Sequence, residues 1–444
     1  MKRVLLSIVV GFFLYLPFSK YELWFFLFPA LYVLLLYPSV RFWFSAGFVF
    51  FTLSLRCVNI ASVQYGEIEP LLAYILLFLF ALFLSSYQMA LPIYLWKRVG
   101  KGKLSLIPLL YTTFEVIRSY FPYGGFPWLL LGSVWVNVPL LKETLYLTKV
   151  YIMGFLLWLL VYLSLKRRFF FIFLLLSFLT VFSLYVERSL VKKVEKGREI
   201  KVALVQTAIP QQDKLYSERF DRYTDSILYL IEEAQESKPD LVVLPESALP
   251  ILLSDEGRKE RMKLFELSYR TPILVGLIDI REGLKPYNSA YLIKDGEVVD
   301  HYDKIRLLPI GEYMPFPFAF LKDIFQAING MDYTPGDKES PIIYDHVRIA
   351  TPICFEIAYY DLIKKLSQRA DLIAVLTNDG WFNDSDCSAQ HFSWARVRAI
   401  ENGKYILWVN NSGDTAIIDP FGKVIEKLGY MKRGILIGYV KLVD

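Results

Sequence analysis

The chain has 444 residues, of which 55% are hydrophobic and 16% aromatic, a composition too apolar for an ordinary soluble protein. Its net charge of +5 is modest, and no basic stripe with interleaved aromatic residues predicts nucleic-acid binding. The apolar excess is confined to residues 4–190, and charged residues return from Arg198 onward. The sequence therefore predicts a transmembrane domain over 1–190 and a globular domain over 191–444.

Seven segments of the first half approach the roughly 20 apolar residues that a bilayer-crossing helix needs. They lie at 4–19, 22–40, 42–64, 70–96, 104–122, 142–165 and 169–187. The third contains Arg56 and the fifth contains Glu115 and Arg118, charges that are expected to face the bundle interior or the interface. The apolar run after Arg3 also resembles a signal peptide, but no small-residue cleavage site follows it, so we expect an uncleaved first span.

The basic residues of the connections predict the orientation of these spans. If the spans alternate, ten basic residues of the connections lie on the same side of the membrane: Lys2, Arg3, Arg41, Lys97, Arg98, Lys101, Lys103, Lys166, Arg167 and Arg168. That side is cytoplasmic by the positive-inside rule, so seven crossings leave the globular domain outside. The basic residues between 188 and 198 run against the rule, but they lead into a large domain, where charge counts carry less weight.

The connection over 119–140 is rich in aromatic residues, Gly and Pro. Composition alone favours an ordinary aromatic belt at the outer interface. The alternative is a lipid-handling lip beside an active site, to which Phe126 and Trp128 would belong.

Residues 200–444 alternate β-branched runs with amphipathic stretches, which predicts a layered α/β fold. Helices are predicted over 217–237, 256–270, 359–369 and 388–402, and strands over 200–206, 240–245, 272–278, 348–354 and 371–377. Asp295 and Gly296 form the turn signal of a hairpin within 287–304. A domain of this size can bury its own core.

Three reactive side chains stand at the ends of predicted strands: Glu246, Lys304 and Cys354. Singly, the Glu is more often a helix N-terminal charge, the Cys a small core residue and the Lys a solvated surface charge. Loops at the carboxyl ends of strands, however, bring such groups into one pocket. Together they suit nucleophilic catalysis, in which a carboxylate takes the thiol proton and an ammonium stabilises the oxyanion.

The cysteines do not predict a disulfide framework. Cys57, Cys354 and Cys387 are odd in number, and one lies in an apolar segment, so at least one free thiol is expected.

Two other site chemistries can be considered. A Cys–His hydrolase would need one of His301, His346 and His391, but none of these positions identifies a base. A loop offers the acidic, thiol and imidazole groups of Asp384, Asp386, Cys387 and His391. Such a loop is usually a solvated turn, so no metal is predicted.

Several strings of the globular half resemble the nitrilase superfamily. They are LPESALP (244–250), YDKIRLLPIGEYMPF (302–316), ICFEIAY (353–359), TNDGWFNDS (377–385) and QHFSWARVRAIENG (390–403). With the preceding spans and FPWLLLG (126–132), the whole chain resembles the apolipoprotein N-acyltransferase family. The resemblance implies a polytopic α-helical membrane domain joined to an α/β nitrilase-like domain, an αββα sandwich.

By this resemblance Glu246 is the general base, Lys304 stabilises the oxyanion, and Cys354 is the nucleophile that becomes a thioester. Glu312 matches a second essential Glu that orients the Lys or the base. Supporting or substrate-facing positions are implied for Phe355, Glu356, Trp381, Phe382, Asn378, His391, Phe126 and Trp128. The family usually has Tyr where Phe355 stands, so a role there is expected to be apolar packing or a backbone N–H.

The resemblance implies a reaction in two steps without a cofactor. The thiol takes an acyl chain from a phospholipid, with phosphatidylethanolamine the expected donor. The thioester then acylates the α-amine of an S-diacylglyceryl cysteine at the N-terminus of an apolipoprotein. The expected location is the bacterial inner membrane, with the catalytic domain on the periplasmic side.

The sequence departs from the family pattern at two places. Leu215 stands where the family often has a Trp after IPQ (209–211), and the family usually continues into a further membrane helix, whereas this sequence ends at KLVD.

Two other functions are compatible with the sequence. One is a membrane-anchored amidase or nitrilase that hydrolyses a small amide. The other is a receptor or transporter with a catalytically inactive nitrilase-like binding domain.

Overall fold

A computed structural model describes residues 2–100, 102–281, 283–316 and 332–443 of the chain. The protein divides into two units. The first comprises Met1–Gln64, Ile68–Arg188 and Ser385–Ser393, and the second Tyr65–Glu67, Ser189–Asp384 and Trp394–Asp444. Lys101, one of the basic residues that predict the orientation, lies outside the described residues.

Helices dominate the N-terminal part of the chain. They are α1 (Lys2–Tyr15), α2 (Leu27–Leu36), α3 (Val40–Leu55), α4 (Val58–Ile60), α5 (Pro70–Leu84), α6 (Leu91–Val99), α7 (Leu106–Arg118), α8 (Leu145–Leu165) and α9 (Phe169–Lys196). The π-helical turn Ser85–Ala90 joins α5 to α6, and a second π-helical turn, Ala61–Tyr65, continues α4.

Among the described residues, three helical segments are long and apolar enough to cross a membrane: Pro70–Val99, Lys142–Leu165 and Phe169–Lys196. A fourth is possible if Val40–Leu55 and Val58–Tyr65, bent by 50°, form one broken span. These segments correspond to the predicted spans 42–64, 70–96, 142–165 and 169–187. The chain is therefore a membrane protein.

The predicted number of seven spans exceeds what the described residues show by length and composition. The segments predicted at 4–19, 22–40 and 104–122 contain α1, α2 and α7, of 14, 10 and 13 residues. Pro17 lies in a separate 3₁₀ turn after α1, because proline has no N–H to continue an α-helix. Hydropathy detects an apolar run but not such breaks within it.

Two charged side chains are buried in the interior of the helical unit. Glu115 and Arg118 are only 1% and 2% exposed, as predicted for charges that face the bundle interior. Glu115 Oε1 accepts a hydrogen bond from Leu131 N at 2.9 Å, and Arg118 Nε donates to Gln88 Oε1 at 3.1 Å. The Glu115 bond fixes the backbone of the FPWLLLG segment.

Cys57 and Cys387 form a disulfide within the helical unit, with Cα atoms 5.9 Å apart and a sequence separation of 330. The expectation of no disulfide framework is therefore wrong for this pair. Nearby, Asp386 accepts hydrogen bonds from Tyr15 OH at 2.9 Å and Lys20 N at 3.0 Å, and Arg56 lies 3.3 Å from it. The disulfide and these bonds hold segment 385–393 to the helices.

We expect Cys387→Ser to destabilise the helical unit by about 2–4 kcal/mol, because a disulfide that closes a long loop restricts the unfolded chain. Thermal unfolding in detergent, with and without reductant, measures this effect. Reduction should lower the unfolding temperature of the wild type to that of the variant and leave the variant unchanged. Cys354→Ser, which keeps the disulfide, is the matched control. Equal unfolding temperatures for wild type and Cys387→Ser would contradict the prediction.

In the part of the second unit that the structure describes, the strands form two six-stranded sheets. The first has the order β12-β1-β2-β3-β4-β5 and the second β11-β10-β9-β8-β7-β6. The strands are β1 (Glu199–Gln206), β2 (Leu241–Val243), β3 (Ile273–Arg281), β4 (Lys285–Lys294), β5 (Glu297–Asp303), β6 (Ile342–Tyr344), β7 (Val347–Ala350), β8 (Leu372–Thr377), β9 (Ile406–Asn410), β10 (Thr415–Ile418), β11 (Val424–Leu428) and β12 (Gly434–Lys441). In each sheet the three central strands run parallel and the outer strands antiparallel.

Helices cover the sheets. The described helices of this part of the chain are α10 (Gln211–Lys214), α11 (Ser217–Asp221), α12 (Thr224–Glu236), α13 (Lys259–Leu267), α14 (Tyr360–Ser367) and α15 (Asp386–Asn402), whose first residues belong to the helical unit. The helices α12 and α13 share a buried apolar core with β1, β2 and β3. The strand β1 packs against β9 and β10 of the second sheet, and α14 packs on β7. The layered α/β fold, with two sheets between helices, is confirmed.

Candidate active site

The three predicted catalytic residues follow strands of the second unit. Glu246 lies three residues after β2, Cys354 four residues after β7, and Lys304 directly after β5. Because β2 and β7 are both parallel strands, their carboxyl ends present the following loops at sheet edges where binding sites gather.

A buried ammonium group lies between two carboxylates. Lys304 Nζ is 2.7 Å from Glu312 Oε1 and 3.5 Å from Glu246 Oε1. Desolvation alone disfavours the ammonium, but the charges of Glu312 and Glu246 outweigh it and raise the pKa of Lys304 well above its usual range. The lysine therefore remains a cation at any physiological pH.

The thiol of Cys354 lies within the field of this cluster and is the free cysteine of the described chain. Burial, together with the negative charge of Glu246, raises the pKa of Cys354 far above its usual range, while Lys304 opposes this shift. A free thiolate is therefore disfavoured at neutral pH. Attack by the sulfur requires a base that takes the proton directly.

The backbone presents Cys354 in a strained conformation. Its φ of 54° lies in the left-handed region, which is costly for a residue with a side chain. It begins the 3₁₀ turn Cys354–Ala358 after the extended Ile353. Fully buried Arg398 stabilises this turn, because its Nε donates to Ile357 O at 2.8 Å and another nitrogen donates to Ala358 O.

The loop that carries Glu246 packs closely against the backbone of β3. A Cβ on Gly276 would lie 2.5 Å from Pro245 O and 2.7 Å from the Glu246 Cα, so no larger residue fits there without a shift. The N–H of Ala248 donates to Gly276 O at 2.7 Å. Glycine in β3 therefore lets the Glu246 backbone pack directly on the sheet.

Glu356 joins the segments that carry Lys304 and Cys354. Its carboxylate accepts hydrogen bonds from the backbone N–H groups of Ile305, Arg306 and Ile353 at 2.7, 2.9 and 2.8 Å. Tyr302 OH donates to the same carboxylate at 3.0 Å. Burial raises the pKa of Glu356 to about 7, and the backbone N–H groups oppose the rise.

The other predicted positions divide between the two units. Within the second unit, Phe355 packs edge-on against Tyr359, and Trp381 lies 5.9 Å from the ring of Tyr65. Asn378 belongs to a buried amide network, and Phe382 N donates to Asp379 O at 2.9 Å. The helical unit contains Phe126, Trp128 and His391.

Trp128 contacts two residues of α15 within the helical unit. Its Nε1 donates to Gln390 Oε1 at 2.7 Å, and its ring lies 5.8 Å from that of His391. Phe126 packs on Phe80 with ring centroids 5.4 Å apart. Cys387 is held in the disulfide and offers no thiol for a metal site.

Asn288 is a site residue that the sequence did not suggest. It lies in β4, is 3% exposed, and its Nδ2 donates to Glu246 Oε1 at 2.7 Å and to Glu312 Oε1 at 3.2 Å. One amide thus holds both carboxylates that flank Lys304. A buried amide within the apolar string YNSAYLI was the signal that could have identified it.

These features define a membrane protein with a nitrilase-type domain, whose candidate site combines Glu, Lys and Cys. Residues 201–444 match the carbon-nitrogen hydrolase family, and residues 10–163 match the apolipoprotein N-acyltransferase N-terminal domain. The chain is 43% identical to the apolipoprotein N-acyltransferase of Aquifex aeolicus over 98% of each chain. It is 28% identical to that of Pasteurella multocida over 86% of this chain and 78% of the relative. The chain belongs to the apolipoprotein N-acyltransferase family.

Two solved structures are similar to part of this chain. Saccharomyces cerevisiae Nit3 has 21% identity and a TM-score of 0.43, covering 55% of this chain and 90% of its own. A carbon-nitrogen hydrolase from Helicobacter pylori has 18% identity and a TM-score of 0.42, covering 55% of this chain and 89% of its own.

We expect Asn288→Leu to slow acyl transfer by about 10- to 100-fold, since a hydrogen bond to a charged group contributes about 1.5–3 kcal/mol. Without the amide, Glu246 and Glu312 lose a shared hydrogen-bond donor, and the two carboxylates are held less firmly beside Lys304. The rate of lipoprotein acylation in detergent measures the effect. Tyr287→Phe, on the opposite face of the same strand, is the control. Wild-type activity in Asn288→Leu would exclude this role.

Proposed function

We propose that this protein transfers an acyl chain from a phospholipid, through a thioester on Cys354, to the N-terminal amine of S-diacylglyceryl cysteine in apolipoproteins. The observation that carries the proposal is the buried Lys304 ammonium, bonded to Glu312 and close to Glu246, which together with Glu246 interacts electrostatically with the free thiol of Cys354. Membership of the acyltransferase family supports the lipoprotein acceptor. Phosphatidylethanolamine is the proposed donor.

The first step forms the thioester. Glu246 takes the thiol proton as the sulfur attacks the ester carbonyl carbon of the donor. Lys304 stabilises the developing oxyanion, and a single such donor is typically worth about 2.7–4 kcal/mol of barrier. The carbon–oxygen bond then breaks, the proton passes from Glu246 to the leaving oxygen, and a lysophospholipid departs.

The second step consumes the thioester. The α-amine of the lipoprotein attacks the same carbonyl carbon, and Glu246 accepts the proton from the nitrogen. The carbon–sulfur bond breaks, an amide forms, and the sulfur regains its proton. Each group used in this cycle belongs to the chain, so the proposed reaction needs no cofactor.

Supporting roles follow from the contacts of the site. Glu312 and Asn288 orient Lys304 and Glu246 through direct hydrogen bonds. Glu356 fixes the backbone on both sides of the pocket, and Phe355 supplies apolar packing. We propose that Trp381, Phe382 and Asn378 shape a cover over the acyl chain, and that Phe126, Trp128 and His391 contribute to substrate entry.

We expect wild-type protein incubated with phosphatidylethanolamine to gain the mass of one acyl chain, measured by intact-protein mass spectrometry in detergent. Hydroxylamine should remove the added mass, because it cleaves thioesters. Cys354→Ala should gain nothing, while Cys387→Ser should still be acylated. Lysophospholipid release without acylation of Cys354 would exclude the thioester mechanism. Hydrolysis of small amides in place of acylation would favour an anchored amidase.

We also propose that the domain 191–444 lies on the periplasmic side of the bacterial inner membrane. Basic residues gather in the connections expected to be cytoplasmic, namely those around Arg41, Lys97 and Lys166. The Cys57–Cys387 disulfide adds independent support, since disulfides persist mainly in oxidising compartments.

Labelling by a membrane-impermeant maleimide tests this orientation in a Cys354→Ala background. Glu256 and Lys166 are both exposed, the first before α13 and the second after α8. We expect Glu256→Cys to be labelled in intact spheroplasts and Lys166→Cys only after the membrane is permeabilised. The opposite pattern would place the catalytic domain in the cytoplasm.

A further inference from the structure

Lys214 is a second lysine beside the candidate active site, and the mechanism proposed above does not use it. It ends α10, the single helical turn that follows β1. Its Nζ donates to the backbone carbonyl of Ser247 at 2.8 Å and to that of Glu246 at 3.3 Å. The same ammonium lies 5.1 Å from the ring centroid of Phe220. One side chain therefore bonds two consecutive carbonyls at the proposed base.

The backbone at these carbonyls needs external support. Ser247 has a φ of 48°, a left-handed conformation that is strained for a residue other than glycine. Such a conformation persists only where surrounding contacts determine it. The bond from Ala248 N to Gly276 O holds one side of this loop, and the ammonium of Lys214 holds the carbonyls of the other side.

The other end of α10 contacts a different loop of the site. Gln211 Oε1 accepts a hydrogen bond from Asn378 Nδ2 at 2.9 Å. Asn378 in turn accepts at Oδ1 from Asn411 Nδ2 at 3.1 Å. The turn α10 thus connects the loop after β8 with the loop that carries Glu246. Hydrogen bonds at its first and last residues hold the turn, and Lys214 with it, in place.

The charge of Lys214 is sensitive to pH near neutrality. Desolvation, only partly opposed by the negative charge of Glu246, lowers the pKa of Lys214 to about 7. Glu246 itself faces the charged or titratable groups of Lys304, Cys354 and Tyr333 as well as Lys214. A depressed lysine pKa means that the cation is present below about pH 7 and is lost above it.

We infer that Lys214 is a positioning residue for the proposed general base: its ammonium holds the Glu246–Ser247 backbone so that the Glu246 carboxylate meets the thiol of Cys354. The inference rests on the proposed roles of Glu246 and Cys354. Lys214 acts through Glu246, because its hydrogen bonds go to backbone carbonyls and not to the reacting atoms.

Single-turnover acylation of Cys354 by phosphatidylethanolamine, without acceptor, is the measurement that tests this role. We expect Lys214→Met to lower the maximal acylation rate at pH 7 by about 100-fold, since a small misplacement of a catalytic group has effects of that order. The phospholipid concentration at half-saturation should not change. Lys214→Arg, which keeps a cation, should stay within a few-fold of the wild type. Lys259→Met, at an exposed lysine that begins α13, is the matched control.

The pH profile separates positioning from simple structural support. As pH rises through about 7, the wild type should lose part of its acylation rate, because the Lys214 cation is lost. Lys214→Arg should not show this loss, since arginine stays protonated. The pKa of Glu356 is also raised to about 7. Because Glu356 is present in both the wild type and Lys214→Arg, a difference between their pH profiles reports on Lys214.

The possible outcomes are distinguishable. If the wild type never acquires the acyl mass, the proposed function fails and this inference fails with it. If the wild type is acylated and Lys214→Met is acylated equally fast, Lys214 has no positioning role. Should Lys214→Met lower the thermal unfolding temperature so far that it cannot be assayed, the pH profiles of wild type and Lys214→Arg decide. Superimposable profiles would then overturn the inference.

Discussion

The candidate site depends on one buried charge arrangement: the Lys304 ammonium held by Glu312 and Glu246. An isolated ammonium at this depth would be strongly disfavoured, and two unopposed carboxylates would repel each other. Each charge is therefore tolerated only because the others are present at hydrogen-bond distance. Replacing one member would leave the remaining charges buried without compensation. The surrounding contacts fix the positions of all three groups.

That support comes from backbone contacts and buried polar side chains. Asn288 restrains both carboxylates, and Glu356 gathers three backbone N–H groups from the segments that carry the ammonium and the thiol. Gly276 admits the Glu246 loop against the sheet. Left-handed conformations at Ser247, the residue after Glu246, and at Cys354 turn the chain sharply beside one site residue and at the other. Strain at these positions is sustained by neighbouring contacts, as is usual for catalytic loops.

Site residues that follow strand ends are predictable from the sequence, and those that depend on tertiary contacts are not. Glu246, Lys304 and Cys354 could be predicted because each follows a strand recognisable in the sequence, although β2 and β5 belong to one sheet and β7 to the other. Asn288 and Lys214 could not, since an amide within a strand and a lysine in a short helical turn have no distinctive spacing. The Cys57–Cys387 pair, 330 residues apart, left no local signal. The break after α1 also could not be predicted, because hydropathy does not register where Pro17 interrupts an apolar run.

The reaction is possible in this environment because the proposed proton transfer conserves charge. Burial raises the pKa of the Cys354 thiol far above its usual range, so its ionisation into water is unfavourable at neutral pH. Transfer of the proton to Glu246 instead exchanges one buried anion for another. Before and after transfer the cluster holds one cation, Lys304, and two anions, so no net charge is created in a low-dielectric site. A desolvated base close to the thiol can therefore activate it, provided that the backbone holds the carboxylate in place.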